Sequence, residues 1–277
     1  MFAENVTAEF AAQLESSEIN AWLDLYAAAP PDFTRHFQLE IMRVQNVVLT
    51  RCKSIPFIHF NCVKNFGMME PANESLLGEV LNLYREAEIR HFAFYHIPHS
   101  QPSNVQDWFA AKGLRQRGGW DRIYWSNNAS ASAAIESQDG FRVEKVTRTN
   151  GSEWAAYIDR LYGLPTSPWL LCLVERPGWH HYMLRRHGQI VAVRSFHVDD
   201  TEMGWLGIEA PVPGVMTRSY DLDAQLCQAI IKDASDLGVK FVVADIEAPS
   251  LRMDTPAYRN FELLGFKRPY FRSHYSF

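Results

Sequence analysis

The clearest pattern of apolar positions lies between residues 204 and 238. It begins with a short apolar strand around Leu206, which two prolines follow. After a polar loop, apolar residues at helical spacing predict one buried helix face, made of Leu222, Leu226, Ile230, Ala234 and Leu237. Gly238 is expected to end this helix, and the apolar run at residues 239–246 predicts a strand covered on both faces. A strand, a loop and a helix in this order favour the binding of phosphate groups.

The same two periodicities, one helical and one alternating, predict the other elements. Helices are predicted at residues 8–28, 74–88, 105–112, 154–162, 167–174 and 256–264. Strands are predicted at residues 47–52, 57–63, 91–96, 121–125, 141–146, 182–186, 189–198 and 270–277. The turn at His187 and Gly188 predicts a hairpin between the two strands that flank it.

A polar stretch at residues 126–140 contains no aromatic residue and one large aliphatic residue. This composition is typical of linkers. We therefore expect two domains, at residues 1–128 and 141–277, with a linker at residues 129–140.

The two predicted domains share similar segments. Phe92 and Phe241 lie in similar helix-to-strand passages and are 149 positions apart. Gly113 and Gly265 end a second pair of similar segments and are 152 positions apart. A nearly constant offset indicates an internal duplication.

Composition and charge narrow the class of protein. The chain has 277 residues, of which 47% are hydrophobic, so it is long enough for packed cores. Its net charge of −5 argues against nucleic acid or an anionic membrane as a partner. The four cysteines are scattered without CxxC spacing, which is typical of buried thiols in a reducing compartment. The sequence shows no export signal and no apolar run long enough to span a bilayer, so we expect a cytoplasmic protein.

Four segments within residues 141–277 carry a family pattern. They are the hairpin YMLRRHGQIVAVRSFHV, the strand WLGIEA, the loop and helix VPGVMTRSYDLDAQLCQAII, and the ending AYRNFELLGFKRPYF. Together they resemble the GNAT superfamily of acyl-CoA N-acyltransferases, whose pattern A-x-x-x-Y-x-x-x-G-F the ending matches at Ala257, Gly265 and Phe266. Residues 43–125 look like a second, more eroded copy. The resemblance implies an α/β (α+β) fold of two GNAT-like domains in tandem, each with a central mixed, mostly antiparallel sheet flanked by helices.

In the GNAT family, a motif Arg/Gln-x-x-Gly-x-Gly/Ala at the start of the long helix binds the diphosphate of the coenzyme. Here Arg218 takes the first position, but Asp221 and Asp223 take the glycine positions. A carboxylate beside a diphosphate repels it. Three interpretations stay open: the carboxylates cap the helix, they impair the coenzyme site, or they turn outward from a working site made of backbone N–H groups.

The resemblance implies acetyl-CoA, or another acyl-CoA, as the co-substrate. The residues expected to contact it are Leu206, Ile208, Ala210, Met216, Thr217, Arg218, Ser219, Tyr220, Asp221, Leu222, Asp223, Asn260 and Phe261. In the first copy, the corresponding loop at residues 67–77 has two glutamates, no arginine and no Gly-x-Gly. We therefore expect the first copy not to bind coenzyme A.

Two residues are candidates for acid–base catalysis. In the family, a tyrosine protonates the leaving thiolate, but Phe261 replaces it here. Tyr258 lies one helical turn earlier and is either the substitute acid or a packed aromatic residue. Glu209, at the end of the central strand, is either the general base or a structural glutamate. His180 and His181 are expected on opposite faces of a strand, so no metal site is predicted.

The resemblance implies direct transfer of an acetyl or acyl group to the amine of a small molecule, within a ternary complex. The alternative is a catalytically silent GNAT-like module that binds a ligand or a protein partner. A transferase that uses aminoacyl-tRNA is disfavoured because the chain is not basic. The predicted partner is a small-molecule amine, with no nucleic acid and no membrane, and a homodimer is left open.

Overall fold

The computed structural model describes residues 5–128, 140–211, 220–247 and 256–277. The side chains of residues 220, 221, 247, 256 and 257 lie outside this description. The predicted linker therefore falls outside it, except for Gly140, and so does most of the predicted phosphate loop.

The described residues contain eight α-helices and eleven β-strands. The helices are α1 (Ala8–Ala27), α2 (Pro31–Phe37), α3 (Glu74–Glu86), α4 (Val105–Ala111), α5 (Gly151–Tyr162), α6 (Ser167–Leu170), α7 (Tyr220–Asp236) and α8 (Pro256–Leu263). The strands are β1 (Leu39–Val44), β2 (Val47–Cys52), β3 (Cys62–Lys64), β4 (Ala93–His96), β5 (Arg115–Ser126), β6 (Phe141–Lys145), β7 (Trp179–Arg186), β8 (Gln189–Val198), β9 (Met203–Ala210), β10 (Phe241–Glu247) and β11 (Lys267–Ser276).

The chain divides into two compact units. The N-terminal unit comprises Asn5–Asp121 and Pro269–Phe277, and the C-terminal unit lies within Arg122–Arg268. The last nine residues thus belong to the N-terminal unit, because β11 pairs there with β4. The domain limits expected from the sequence, with a linker at 129–140, stay a prediction.

In the N-terminal unit, the strand order is β1-β2-β3-β4-β11. Strands β1, β2 and β3 are antiparallel neighbours, β3 and β4 are parallel, and β11 is antiparallel to β4. Helices α3 and α4 pack on this sheet through an apolar core that includes Leu77, Val80, Phe94 and Phe109.

Buried charges join α1 to the same sheet. Glu18 pairs with Lys64 of β3 and with Arg272 of β11, and Arg272 Nη1 also lies 3.3 Å from a carboxylate oxygen of Glu15. All four side chains are at most 5% exposed. Tyr270 donates a 2.8 Å hydrogen bond to Glu15. Two carboxylates thus face two cations, which offsets the cost of burying each charge.

In the C-terminal unit, the strand order is β5-β10-β9-β8-β7-β6. Strands β6 to β9 are antiparallel neighbours, whereas β9 and β10 are parallel. Helices α7 and α8 pack on one face, in a core with Phe196 and Leu206. On the opposite face, Trp154 of α5 lies against His181 of β7, with ring centroids 4.3 Å apart. Each unit therefore has the predicted mixed, mostly antiparallel sheet flanked by helices.

The order of elements supports the predicted duplication. The series α3-β4-α4-β5 recurs as α7-β10-α8-β11. Strand β11, the last of the second series, pairs with β4 of the first series. Strand β5, the last of the first series, neighbours β10 of the second series. Sequence similarity alone gave no sign of this exchange.

Most predicted elements are present, with bounds within a few residues. The hairpin of β7 and β8 turns at His187 and Gly188, which both have positive φ angles. The strand predicted at residues 57–63 is wrong over most of its length, because residues 58–60 form turns and only Cys62–Lys64 is a strand. The Asn61 amide donates hydrogen bonds to the carbonyl oxygens of Ile55 and Phe57, which stabilises these turns. Strand β1 was not predicted.

Candidate functional site

Strands β9 and β10 pair only near their beginnings. The paired residues run from Met203 with Phe241 to Trp205 with Val243. Residues 206–210 and 244–247 continue as strands, and no pairing between them is found in the part of the chain that the structure describes. The two parallel strands thus separate toward their carboxyl ends. We call this separation the strand gap.

A bulge lies in β9 beside the strand gap. Strand β8 pairs Val193 with Ala210 and Ser195 with Gly207, so β9 has one residue more than β8 between these pairs. Ile208 in this interval has a φ of 47°, in the left-handed region that a β-branched residue rarely adopts.

The bulge decides which way Glu209 points. In a regular strand, residues three positions apart point to opposite faces. Leu206 packs in the core beneath α7, and the extra residue in β9 turns the Glu209 side chain to this same face. There it meets Arg194 of β8, whose Nη2 lies 3.0 Å from Glu209 Oε2.

Arg194 binds a second carboxylate, that of Asp223 on α7. The Arg194 side chain is 2% exposed, and that of Asp223 is 8% exposed. Glu209 keeps 29% of its side-chain exposure. One buried guanidinium thus holds two carboxylates from two elements, and Glu209 is the more accessible of the two.

Glu209 lies in surroundings that disfavour its charge. Burial raises the pKa of its carboxyl group, Arg194 opposes this effect, and the negative charges of Asp223 and Asp245 add to it. Asp245 of β10 is itself paired with Arg122 of β5, at 3.2 Å. A carboxyl group with a raised pKa is suited to accept a proton near neutral pH.

Tyr162, at the end of α5, contacts the same bulge. Its hydroxyl donates a hydrogen bond to the main-chain carbonyl oxygen of Glu209. Burial raises the pKa of Tyr162, and the nearby Glu209 raises it further. Tyr162 is therefore a hydrogen-bond donor to the bulge rather than a ready source of protons.

Helix α7 begins at Tyr220, so Asp223 is its fourth residue. The first four N–H groups of a helix have no partner within the helix, and the helix dipole favours an anion there. The Asp223 carboxylate does not turn outward, since it is buried against Arg194. The side chain of Asp221, the other aspartate in question, lies outside the described residues.

The other predicted coenzyme residues fall into three groups. Ala210 and Leu206 are buried in the sheet, and Leu222 packs against the core below α7. Asn260 is half-buried on α8. The predicted residues outside the described ranges are Met216, Thr217, Arg218 and Ser219, and Tyr220 is described in its backbone alone.

Two aromatic residues of α8 belong to the core. Tyr258 is 2% exposed and Phe261 is 5% exposed, and both lie in the core that α7 and α8 share. The Phe261 ring meets the Phe266 ring edge-on, with centroids 4.9 Å apart. These buried positions favour the interpretation that Tyr258 is a packed aromatic residue over the interpretation that it is the catalytic acid.

The two adjacent histidines of β7 point to opposite faces, as predicted. The His180 ring lies near Phe196, in the α7 core, whereas His181 lies on the α5 face. Ser195 Oγ is 2.7 Å from His181 Nδ1, and the Leu173 carbonyl oxygen is 3.1 Å from Nε2. Burial lowers the pKa of His181 to about 4, so it is a neutral core residue. Within the described ranges, no group of His, Cys, Asp and Glu could hold a metal ion.

In the N-terminal unit, the helix that corresponds to α7 is α3. Asn73 caps it by accepting a hydrogen bond from the N–H of Leu76. The preceding loop is tied to residue 101, because Gln101 and Gly67 are joined by a main-chain hydrogen bond and Ala72 donates to the Gln101 carbonyl oxygen. These contacts support the expectation that this copy does not bind coenzyme A, which stays a prediction.

Sequence reasoning missed Arg194 and Tyr162. Arg194 occupies an inward position between the core residues Ala192 and Phe196 of a predicted strand. An arginine at such a position is a signal, since a buried cation needs a partner. Nothing in the sequence identifies that partner.

Solved structures with the same fold are known, although no family model and no curated protein matches the sequence. A GCN5-related N-acetyltransferase from Kribbella flavida has a TM-score of 0.61 at 14% identity, over 96% of this chain and 94% of that chain. A GCN5-related N-acetyltransferase from Sphaerobacter thermophilus has a TM-score of 0.59 at 15% identity, over 83% and 80%. A tandem GNAT protein from the clavulanic acid biosynthesis pathway has a TM-score of 0.52 at 13% identity, over 73% and 68%. At these identities, the likeness shows the fold.

Among the helices of the described residues, none is both long and apolar enough to cross a membrane.

Proposed function

Because the chain has the GNAT fold in two tandem copies, we propose that its C-terminal unit is an N-acetyltransferase. It binds acetyl-CoA at the strand gap and transfers the acetyl group to the amine of a small molecule, directly within a ternary complex. The observation that supports this most is the bulged end of β9, which turns Glu209 to the face below α7 in the stretch where β9 no longer pairs with β10. The resemblance to the GNAT family implies acetyl-CoA as the acetyl donor.

The residues at the strand gap fit such a co-substrate. A strand edge without a neighbouring strand presents N–H and C=O groups, which suit the amide groups of the pantetheine arm. The start of α7 presents N–H groups to a diphosphate, and Arg194 neutralises the one aspartate there whose side chain is described. We assign the diphosphate contacts to the start of α7 and to Arg218.

Acetyl-CoA bound there supplies an acetyl group that is activated as a thioester. Glu209 accepts a proton from the attacking amine, directly or through water. A main-chain N–H of residues 208–210 donates to the carbonyl oxygen of the acetyl group and stabilises the negative charge that develops on it. Positioning of the two substrates accounts for most of the remaining rate.

The first experiment measures binding by thermal unfolding with millimolar acetyl-CoA, with adenosine as the control ligand. A ligand at one hundred times its dissociation constant stabilises the native state by about 2.7 kcal/mol. This corresponds to a shift of roughly 5–10 °C in the midpoint for a chain of this size. Absence of a shift with acetyl-CoA at any concentration would contradict the proposal.

The second experiment separates acetyl-CoA binding from catalysis of acetyl transfer. Arg218→Ala is expected to weaken acetyl-CoA binding about tenfold or more, and Asp221→Gly is expected not to weaken it. Glu209→Gln is expected to keep the binding and to lower kcat about a hundredfold or more with any amine that the wild type acetylates.

A second candidate function is a catalytically silent module that binds a ligand or a protein partner. Two features favour it: Tyr258 is buried in the core, and Phe261, which takes the place of the family's tyrosine, has no hydroxyl. This candidate predicts that no amine in a broad screen is acetylated, whether or not acetyl-CoA binds.

A further inference from the structure

The guanidinium of Arg194 links the two ends of the candidate site. One end nitrogen contacts Asp223, in the first turn of α7, and the other lies 3.0 Å from Glu209, on the bulge. The arginine is fully enclosed, so its position is fixed by packing as well as by charge. A planar guanidinium can hold two carboxylates in a fixed geometry, which an ammonium group cannot do.

The two carboxylates do not share this cation equally. Asp223 is buried with Arg194, whereas Glu209 keeps part of its surface. Asp245, the other carboxylate near Glu209, has Arg122 as its own partner. Among the described residues, Arg194 is therefore the cation that both of these negative charges contact.

We propose, on the basis of the proposed function, that Arg194 is a positioning residue of the acetyl-transfer site. It holds the Glu209 carboxylate at the strand gap and, with the same guanidinium, holds the Asp223 carboxylate away from the diphosphate position at the start of α7.

The consequence for the co-substrate follows from the position of Asp223. The family motif has a glycine where this chain has Asp223, because the diphosphate approaches the backbone there. An aspartate at this position is tolerated if its charge is neutralised and its side chain points away. Arg194 does both, since the Asp223 carboxylate is buried against it. Arg194 thus compensates for the missing glycine.

The consequence for Glu209 depends on the charged and titratable groups that face it. Among the described residues, these are Arg194 of β8, Asp223 and Cys227 of α7, Asp245 of β10 and Tyr162 of α5. Arg194 lowers the pKa of Glu209, whereas Asp223 and Asp245 raise it. Removal of Arg194 and removal of the Asp223 charge must therefore shift the titration of Glu209 in opposite directions.

The first test follows the Glu209 carboxyl carbon by NMR in protein labelled with ¹³C-glutamate, with Glu209→Gln to assign the signal. Arg194→Gln should raise the pKa of Glu209, and Asp223→Asn should lower it. Arg185→Gln is the matched control, because Arg185 also joins two carboxylates, those of Glu144 and Glu153, in the same unit. The control should leave the Glu209 titration unchanged.

The second test measures acetyl-CoA binding by calorimetry. Arg194→Gln should weaken binding about tenfold, because Asp223 is then an uncompensated charge near the diphosphate. The double variant Arg194→Gln/Asp223→Asn should recover affinity to within about threefold of the wild type. In this double variant the more deeply buried carboxylate, Asp223, no longer carries an unpaired charge, and Glu209 keeps 29% of its side-chain exposure, so the test stays valid if Arg194→Gln alone does not fold.

The outcomes separate this inference from the proposed function. If the wild type does not bind acetyl-CoA, the proposed function fails, and the Glu209 titration still decides whether Arg194 controls that residue. If the wild type binds acetyl-CoA but the double variant binds no better than Arg194→Gln, Asp223 does not need Arg194. Shifts of Glu209 in the same direction in Arg194→Gln and Asp223→Asn would also overturn the inference.

Discussion

The Tyr162 hydroxyl donates a hydrogen bond to the main-chain carbonyl oxygen of Glu209 and so connects the end of α5 to the bulge of β9. A bulge leaves main-chain groups without partners in the sheet, and this contact satisfies one of them. A second tyrosine of α5, Tyr157, donates a 2.7 Å hydrogen bond to the carbonyl oxygen of Val191 in the neighbouring strand β8. The two tyrosines make the same kind of bond, but only Tyr162 contacts the candidate site.

This relationship makes Tyr162→Phe informative. The variant should lose about 1 kcal/mol of stability, since it removes one hydrogen bond from a tyrosine that stays partly exposed. It should also loosen the bulge that aims Glu209, so kcat should fall about tenfold while acetyl-CoA affinity stays within twofold. Steady-state kinetics with the best amine found in a screen would measure kcat. Calorimetry would measure the affinity for acetyl-CoA.

Tyr157→Phe is the matched control for this experiment. It removes the same atom from the same helix and should cost a similar amount of stability, because the lost hydrogen bond is of the same kind. Its kcat should remain that of the wild type. Equal losses of kcat in both variants would mean that Tyr162 acts through general stability alone.

The fold could be anticipated where short-range patterns decide it. The spacing from Leu222 to Ala234 repeats at the helical period, and the structure has α7 at Tyr220–Asp236. Leu237, which was predicted on the same buried face, lies after the helix and is 54% exposed. The bulge at Ile208 could not be anticipated, because it depends on how β8 and β9 align, and a one-residue shift leaves no mark in the sequence. The Asp223–Arg194 pair joins residues 29 positions apart, so a local reading assigns Asp223 to the helix end instead.

Asp159 organises the turn between α5 and α6. Its two carboxylate oxygens accept hydrogen bonds from the N–H groups and hydroxyls of Thr166 and Ser167, at 2.5 to 3.1 Å. Asp159→Asn replaces one acceptor oxygen by a donor that faces other donors. It should therefore destabilise the protein by about 2 kcal/mol, which lowers the midpoint by roughly 4–8 °C. The exposed Asp107→Asn on α4 should leave the midpoint unchanged in the same thermal assay.

Arg272 ties the last strand to α1 in the N-terminal unit. It pairs with both Glu15 and Glu18, and all three side chains are at most 5% exposed. Arg272→Ala leaves buried carboxylates short of one cation and should cost about 3–5 kcal/mol. Limited proteolysis should then cut the N-terminal unit faster than it does in the wild type.

Arg35→Ala provides the comparison for Arg272→Ala. Arg35 also pairs with a carboxylate, that of Asp32, but both side chains are at least 80% exposed. An exposed pair within one helix contributes little to stability, so proteolysis should proceed at the wild-type rate. If Arg272→Ala were as resistant as Arg35→Ala, the buried charges would not hold β11 in this unit.

His181 gives the C-terminal unit a defined dependence of stability on pH. Burial lowers its pKa to about 4, whereas an unfolded histidine titrates near 6.5. Between these values the unfolded chain binds one proton more than the native chain at this position, so stability falls as the pH falls, by up to about 1.4 kcal/mol per pH unit. His96 in the N-terminal unit contributes in the same direction, since its burial also lowers the pKa to about 4.

Urea unfolding at a series of pH values between 6.5 and 4 measures this slope. His181→Gln removes one titrating group, so the slope should become smaller by up to about 1.4 kcal/mol per pH unit, even though the variant is less stable at neutral pH. His36→Gln makes the same substitution at an exposed histidine of α2 and serves as the comparison. An unchanged slope in His181→Gln would mean that His181 binds its proton as easily in the native state as in the unfolded one, although burial disfavours its charged form.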